Sequence, residues 1–203
     1  MSVYDRLGVR RVINADATLT RLGGSLMSPD VLDAMQNAAG SFVDMHELQH
    51  VVGRRLAELT RNEAAYVATG AAAGIVLATL GAMTGGDRET IARYVETGEA
   101  PRDEVIVHRV HRIPYDPAIR LAGSRIIDVG NRLQTFPWEL EAALSPRTAM
   151  IFYAAGDHLA SGALPLDQTI DIAHAHGIPV VVDAAAQLPP TENLWRFTRE
   201  LVA

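Results

Sequence analysis

The chain has 203 residues, a formal net charge of −6, and 48% apolar against 21% charged residues. That is enough for one full α/β domain, or a large domain with part of another. The balance excludes a disordered chain, and it offers no basic field to nucleic acid or an anionic membrane. With no cysteine, a disulfide scaffold, a thiolate metal site, a cysteine nucleophile and an iron–sulfur cluster are excluded as well. No apolar run approaches the roughly 18 residues of a membrane span. The opening Met1-Ser2-Val3-Tyr4-Asp5-Arg6 lacks the apolar core of a signal peptide, so the cytoplasm is the expected location.

All 18 basic residues are arginine. Lysine is therefore absent, where about ten would be expected at this length. Biased codon usage lowers that expectation without bringing it to zero. No mechanism that needs a lysine amine is available within residues 1–203.

In chain order, Ser28-Pro29-Asp30 predicts a helix start, with Ser28 as N-cap and Pro29 at the first helical position. Val31, Leu32 and Met35 form its apolar side and Gly40 ends it. Phe42, Met45, Leu48, Val52, Leu56 and Leu59 recur at helical spacing and predict a second helix. Ala64–Ala68 reads as a strand and Ala71–Met83 as an apolar helix. Gly85–Asp103, with weak periodicity, reads as a helix fragment in a long connection. Strands are expected at Glu104–Val107, Arg125–Val129, Ala149–Tyr153 and Ile178–Asp183, the last buried. Helices are expected at Pro117–Ala122, Pro137–Leu144 and Leu166–His176, with Gly177 closing the last. Short apolar strands alternating with helices mean βαβ units: a mainly parallel sheet with helices on both faces. Residues 1–60 are expected to form a helical segment contributing to the site, and residues 61–203 an α/β domain. Five strands with no closing segment read as a domain incomplete at its C-terminus. A helix with Leu194, Trp195 and Phe197 ends the pattern.

Five sets of residues carry candidate chemistry. His46-Glu47-Leu48-Gln49-His50 fits H-E-x-x-H, two histidines one helical turn apart with a glutamate base, as in a zinc hydrolase. Leu56 stands where a third histidine ligand would follow, and the stripe explains the helix as a packing element. His174 and His176 suit the C-terminal end of a helix dipole. The turn Thr69-Gly70-Ala71-Ala72-Ala73-Gly74 joins a predicted strand to a helix. Its small residues let a ligand approach the backbone and the helix N-terminus favours an anion. Without lysine it is no Walker loop, and close helix–sheet packing explains the same residues. Asp183 ends an apolar strand, where ligands of open α/β sheets bind, or else caps a helix. His111 follows another strand end and approaches the same crevice.

These residues, in this order, resemble a fold-type-I pyridoxal-phosphate (PLP) enzyme with an aspartate-aminotransferase-like large domain. More narrowly, they resemble the selenocysteine-synthase-like group, which includes L-seryl-tRNA(Sec) selenium transferase and D-glucosaminate-6-phosphate ammonia-lyase. The likeness runs from Arg10-Arg11-Val12-Ile13-Asn14-Ala15 to Gln187-Leu188-Pro189-Pro190. It includes Leu22-Gly23-Gly24-Ser25-Leu26-Met27, the Thr69–Gly74 turn, Ala173–Gly177 and Val182–Gln187. The resemblance implies that Thr69, Gly70 and Ala71 hold the cofactor phosphate and that His111 stacks on the pyridine ring. It implies that Asp183 pairs with the pyridine nitrogen, keeping the ring an electron sink. It places Gln187 near the ring hydroxyl, and Arg21 on a substrate carboxylate or phosphate.

Two departures bear on function. The group's Schiff-base lysine follows the aspartate strand by about one further strand, in an S-G-G-K-like context, and this chain has none. Residues 1–203 alone are therefore expected to be catalytically incompetent. Selenium transferases read L-G-R-A where this chain has Leu22-Gly23-Gly24-Ser25, and they carry an N-terminal tRNA-binding domain. With the charge at −6, tRNA is not the expected substrate. The implied activity is α,β-elimination on a small amino acid or amino-sugar acid, by a homodimer or higher homo-oligomer. Selenium transfer, a lysine-free binding module and the zinc hydrolase stand as alternatives.

Overall fold

The computed structural model describes residues 2–15 and 18–201, Glu200 by its backbone alone. They fall into two compact units, Met1–Leu48 and Gln49–Ala203.

The first unit opens on α1 (Val3–Arg6), held by a reciprocal pair: Asp5 N–H donates to Ser2 Oγ (3.2 Å), and Ser2 N–H to the Asp5 carboxylate (2.7 Å). A 3-10 turn (Thr20–Leu22) and α2 (Pro29–Ala38) follow. The expected Ser28 cap is only half made, since its backbone is extended but its hydroxyl makes no capping bond. The effective cap belongs to α3 (Met45–Thr60): Asp44 Oδ1 accepts from the N–H groups of His46 (2.8 Å) and Glu47 (3.0 Å). Phe42 consequently precedes the helix it was expected to join.

In the second unit, the buried residues of α3 are Gly53 and Ala57 rather than the larger apolar ones. A backbone contact explains this, because a Cβ on Gly53 would lie 2.5 Å from the Ala65 carbonyl oxygen. Residues 64–68 run along α3, fastened where Gln49 Nε2 donates to the Val67 carbonyl (2.9 Å). They form no strand. A strand needs a ladder partner and none is present among the described residues, so the sheet has four strands where five were expected.

Helix α4 (Ala71–Thr84) turns Ile75, Thr79 and Met83 inward at four-residue spacing. The Thr79 hydroxyl is satisfied by the Ile75 carbonyl (2.8 Å). Then α5 (Arg88–Thr97) is a complete helix where the sequence shows only a fragment; Asp87 caps it by accepting from Thr90 N–H (2.8 Å). None of its residues is fully buried, and Tyr94 is the one that packs against the core beside Met83 and Ala122.

The remaining elements alternate: β1 (Glu104–His108), α6 (Pro117–Leu121), β2 (Arg125–Val129), α7 (Pro137–Ala143), β3 (Thr148–Ala154), α8 (Asp157–Ala160), α9 (Leu166–Ala175) and β4 (Val180–Asp183). All pairings are parallel, in the order β2-β1-β3-β4. One face packs Val105, Val107, Met150, Phe152 and Ala154 against Ile75 of α4 and Ala118 and Ile119 of α6. The other packs Ile106 and Ile151 against Leu140 of α7 and Ala173 of α9. Gly177 closes α9 as expected, at φ +66°, with its N–H on the His174 carbonyl (3.0 Å) and Ile178 N–H on Ala173 (2.9 Å). β4 is half-buried along its length, not buried, because it is an edge of the described sheet. A short helix α10 (Asn193–Trp195) and a wider turn (Arg196–Glu200) follow. They are tied to the end of α3 by Arg199 Nε on the Arg61 carbonyl (2.6 Å) and by the Arg61 guanidinium 3.9 Å over the Trp195 ring. Among the described residues no helix is long and apolar enough to cross a membrane.

The Gly53 contact gives a direct test of this packing. Gly53→Ala is expected to lower unfolding stability by about 1–3 kcal/mol, the usual cost of overpacking against an unyielding neighbour. Chemical denaturation measures it; a loss below about 0.5 kcal/mol would mean that residues 64–68 are not held against α3.

Candidate active site

At the carboxyl edge of the sheet, α4 and β4 face one another across a cleft of about 270 Å³, lined by Ala71, Gly74, Ile75, Ala78, Phe152, Val181, Val182, Asp183 and Ala184. Two sequence-predicted groups meet here. The first is the start of α4. Gly70 adopts φ +146°, a conformation that disfavours any side chain, and no side chain caps the helix. The ladder of α4 begins with Gly74 N–H on the Gly70 carbonyl (3.0 Å). The N–H groups of Ala71, Ala72 and Ala73 precede it and find no acceptor within the helix. Thr69, Gly70 and Ala71 are exposed, so this end of the helix dipole is open to an anion.

The second group is Asp183, half-buried at the end of β4. Its Oδ1 accepts from Ala185 N–H (3.0 Å), and its carbonyl accepts from Ala155 N–H (2.9 Å). No helix follows until Asn193, which removes the helix-cap explanation of this residue. The chain instead turns sharply through Ala186 at φ +57°, a left-handed conformation that costs a non-glycine residue about 1–2 kcal/mol. Gln187 closes the turn: its Nε2 donates to the carbonyls of Ala155 and Ala185, both at 3.3 Å. Gln187, on the loop leaving β4, is thereby fastened to Ala155 at the exit of β3.

His111 is not among the residues lining the cleft. It lies on a 3-10 turn (Arg109–His111) directly after β1, with no exposed surface. Its Nδ1 accepts from Ala154 N–H (3.4 Å), which leaves Nε2–H to donate to the Leu159 carbonyl (3.2 Å). Tyr153 stands edge-on to it at 4.4 Å between ring centroids, and His108 lies 5.2 Å away. Neither ring nitrogen of His108 has a hydrogen-bond partner, although the residue is completely buried. The sequence did not single out His108. Its alternation with Ile106 along β1 is the signal that places it on a buried face.

Arg21 lies exposed on the Thr20–Leu22 turn of the first unit. His46 and His50 are exposed on α3. Among the described residues no group of three histidine, aspartate or glutamate side chains is placed to hold a metal ion. The next turn of chain after His111 is structural: Arg112 bridges Asp116 and Asp128 (2.7 Å), and Arg109 adds a second contact to Asp128 (3.2 Å).

Burial without a compensating charge holds both His108 and His111 down to about 4, with His111 adding repulsion at His108 and the Leu159 carbonyl partly offsetting the effect at His111. The unfolded chain binds these protons near pH 6.5, so between pH 6.5 and 4 it carries more protons than the folded one. Stability is therefore full above pH 6.5 and falls as the pH drops toward 4, by about 1.4 kcal/mol per pH unit for each ring. In denaturation curves from pH 7 to 5, His108→Leu is expected to remove roughly half of this slope. An unchanged slope would show that His108 is not buried as a neutral ring.

Residues 35–193 match the DegT/DnrJ/EryC1/StrS aminotransferase family. The chain is 35% identical over 191 residues to the D-glucosaminate-6-phosphate ammonia lyase of Salmonella typhimurium, covering 92% of this chain and 52% of that protein. It is 37% identical to the 5'-C-glycyluridine monooxygenase-decarboxylase of a Streptomyces species, covering 91% of this chain and 48% of that one. A solved structure of D-glucosaminate-6-phosphate ammonia-lyase superposes with a TM-score of 0.89 at 34% identity, over all of this chain and 55% of that one. The aspartate aminotransferase of Thermotoga maritima, at 17% identity and a TM-score of 0.51 over 89% of this chain and 48% of its own, shares the fold. The chain thus spans about half the length of these curated relatives. With the parallel sheet, the open start of α4 and the terminal aspartate of β4 in place, the chain belongs to the DegT/DnrJ/EryC1/StrS aminotransferase family of pyridoxal-phosphate-dependent enzymes.

Proposed function

We propose that these residues form the cofactor-holding part of a PLP-dependent lyase or transferase acting on a small amino acid or amino-sugar acid by α,β-elimination. The observation that carries this reading is the shared cleft, which sets the uncapped N-terminus of α4 and the Asp183 carboxylate around one space. The residues present fit a ligand with an anionic group at one end and a basic nitrogen at the other.

In this reading the N–H groups at Thr69, Gly70 and Ala71 hold the phosphate. Asp183 faces the pyridine nitrogen and keeps a proton on it. Gln187, anchored on the loop after β3, approaches the ring hydroxyl. When bound, PLP supplies an electron sink for negative charge developing at the substrate carbon beside the amino group. Arg21 offers the two parallel donors of its guanidinium to a carboxylate or phosphate of the substrate. The names of two relatives support the substrate class, since glucosaminate is an amino-sugar acid and glycyluridine joins an amino-acid unit to a nucleoside. We place the whole protein in the cytoplasm as a homodimer or higher homo-oligomer. Selenium transfer on tRNA is disfavoured by the net charge of −6.

One observation favours a second reading, a module that binds cofactor or ligand without turnover: none of the 203 residues is lysine. Borohydride treatment of the chain with PLP is expected to leave no reduced adduct on any internal side chain, as read by peptide mass spectrometry. Reversible retention of PLP by the unmodified chain, and its loss from Asp183→Ala, is the result expected of a cofactor site. Equal retention by both would remove Asp183 from the site and with it the proposal. For the enzymatic reading, a longer polypeptide containing these residues and a lysine beyond the Asp183 strand should release ammonia from an amino-sugar acid. Asp183→Ala should slow that release by about a hundredfold or more.

A further inference from the structure

We infer that His111 is a positioning residue: by accepting the Ala154 N–H it fixes the carboxyl end of β3 and, through the β3–β4 ladder, the Asp183 carboxylate. The inference rests on the cofactor reading of the cleft, and it assigns His111 a role other than stacking on the ring.

Three observations carry it. Ala154 is the residue of β3 whose ladder partner is Asp183, and the next residue, Ala155, donates its N–H to the Asp183 carbonyl (2.9 Å). The same Ala154 gives its N–H to His111 Nδ1 (3.4 Å). One peptide of β3 therefore lies between the imidazole and the acid. His111 Nε2–H, on the Leu159 carbonyl (3.2 Å), adds α8 to the same staple.

The second observation is enclosure. His111 has no exposed surface and is absent from the cleft wall, so no ring face is free for a ligand. The third is the frame around the ring. Tyr153 meets it edge-on at 4.4 Å, and the Tyr153 hydroxyl is pinned on the Leu164 carbonyl (3.1 Å). His108 packs beside both rings, 5.2 Å from His111 and 5.8 Å from Tyr153 between centroids, with both of its nitrogens unpartnered. A buried polar ring without partners costs stability that an apolar side chain would not. The frame therefore maintains a neutral His111 with a lone pair directed at Ala154, and the fold bears that cost at this position.

Two substitutions separate positioning from stacking. His111→Phe keeps an aromatic face but removes the acceptor; His111→Asn keeps a short-range acceptor but removes the ring. The probe is pyridoxine 5'-phosphate, which carries the phosphate and the pyridine nitrogen but no aldehyde, titrated calorimetrically into the full chain. Positioning predicts that His111→Phe weakens binding by about tenfold, while His111→Asn stays within about threefold of the unmodified chain. The reverse order, or equal effects of the two, would overturn the inference. Asp183→Asn is measured alongside. If it binds the probe as tightly as the unmodified chain, the cofactor reading fails; if it alone binds weakly, only the positioning role fails. Should His111→Phe not fold, the unmodified chain still decides the question by NMR. Saturating probe is expected to shift the His111 ring-nitrogen signals with no nuclear Overhauser contact between the His111 ring and the bound pyridine; such a contact would show stacking and overturn the inference. Unshifted signals in the unmodified chain would overturn the coupling.

Discussion

The carboxyl edge of this domain depends on a single strand, β3, which is buried through all seven of its residues. It lies between β1 and β4 and is covered on both faces, so its side chains alternate between two apolar layers. Burying Met150, Ile151 and Phe152 removes them from water at about 1.5–3 kcal/mol each, before the entropy of ordering the chain is subtracted. A strand held this firmly is a rigid reference for whatever leaves its end. Asp183, Gln187 and His111 are all bonded to the two residues at its exit, Ala154 and Ala155. The position of the acid is thus set by core packing and not by loop contacts alone.

The two ends of the sheet are treated differently. At the amino edge, charges neutralise one another: Arg147 pairs with Asp103 (2.5 Å) and Arg125 with Glu104 (2.7 Å). At the carboxyl edge, the start of α4 has N–H groups with no intrahelical acceptor, and Asp183 faces the same cleft. Partial positive charge at a helix N-terminus and a carboxylate on the opposite wall describe a dipolar ligand, negative at one end and protonated at the other. That complementarity follows from the parallel topology, which brings helix starts and strand ends to one side.

Much of this was legible in the sequence, for local reasons. β1, β2 and β3 are short apolar runs set between turn residues, and the α9 stop is written in Gly177. Asp183 and the Thr69–Ala71 turn could be paired because one reads as the acidic end of an apolar strand and the other as an open helix start. What was not legible depends on partners that periodicity cannot supply. Residues 64–68 look like a strand, yet a strand is defined by its neighbour, and here the neighbour is a helix backbone over Gly53. α5 was understated because it is short, set between Gly86 and Gly98, and touches the core chiefly through Tyr94. His111 was expected to approach the crevice; it is instead enclosed beside Tyr153 and His108 and is not in the cleft wall, an arrangement that depends on how strand ends pack in space.

The composition separates two tasks that this family combines. Holding an anion and a protonated nitrogen requires backbone N–H groups and a carboxylate, which in the proposed reading are those of the Thr69–Ala71 turn and Asp183. Covalent chemistry on an aldehyde requires a primary amine, and no side chain among the 203 residues provides one. Arginine cannot substitute, because its guanidinium stays protonated at any physiological pH. In the proposed reading, the groups that recognise the cofactor lie within these 203 residues, and a side-chain amine that would react with it does not. Recognition in this domain is measurable on its own, as affinity, apart from any turnover.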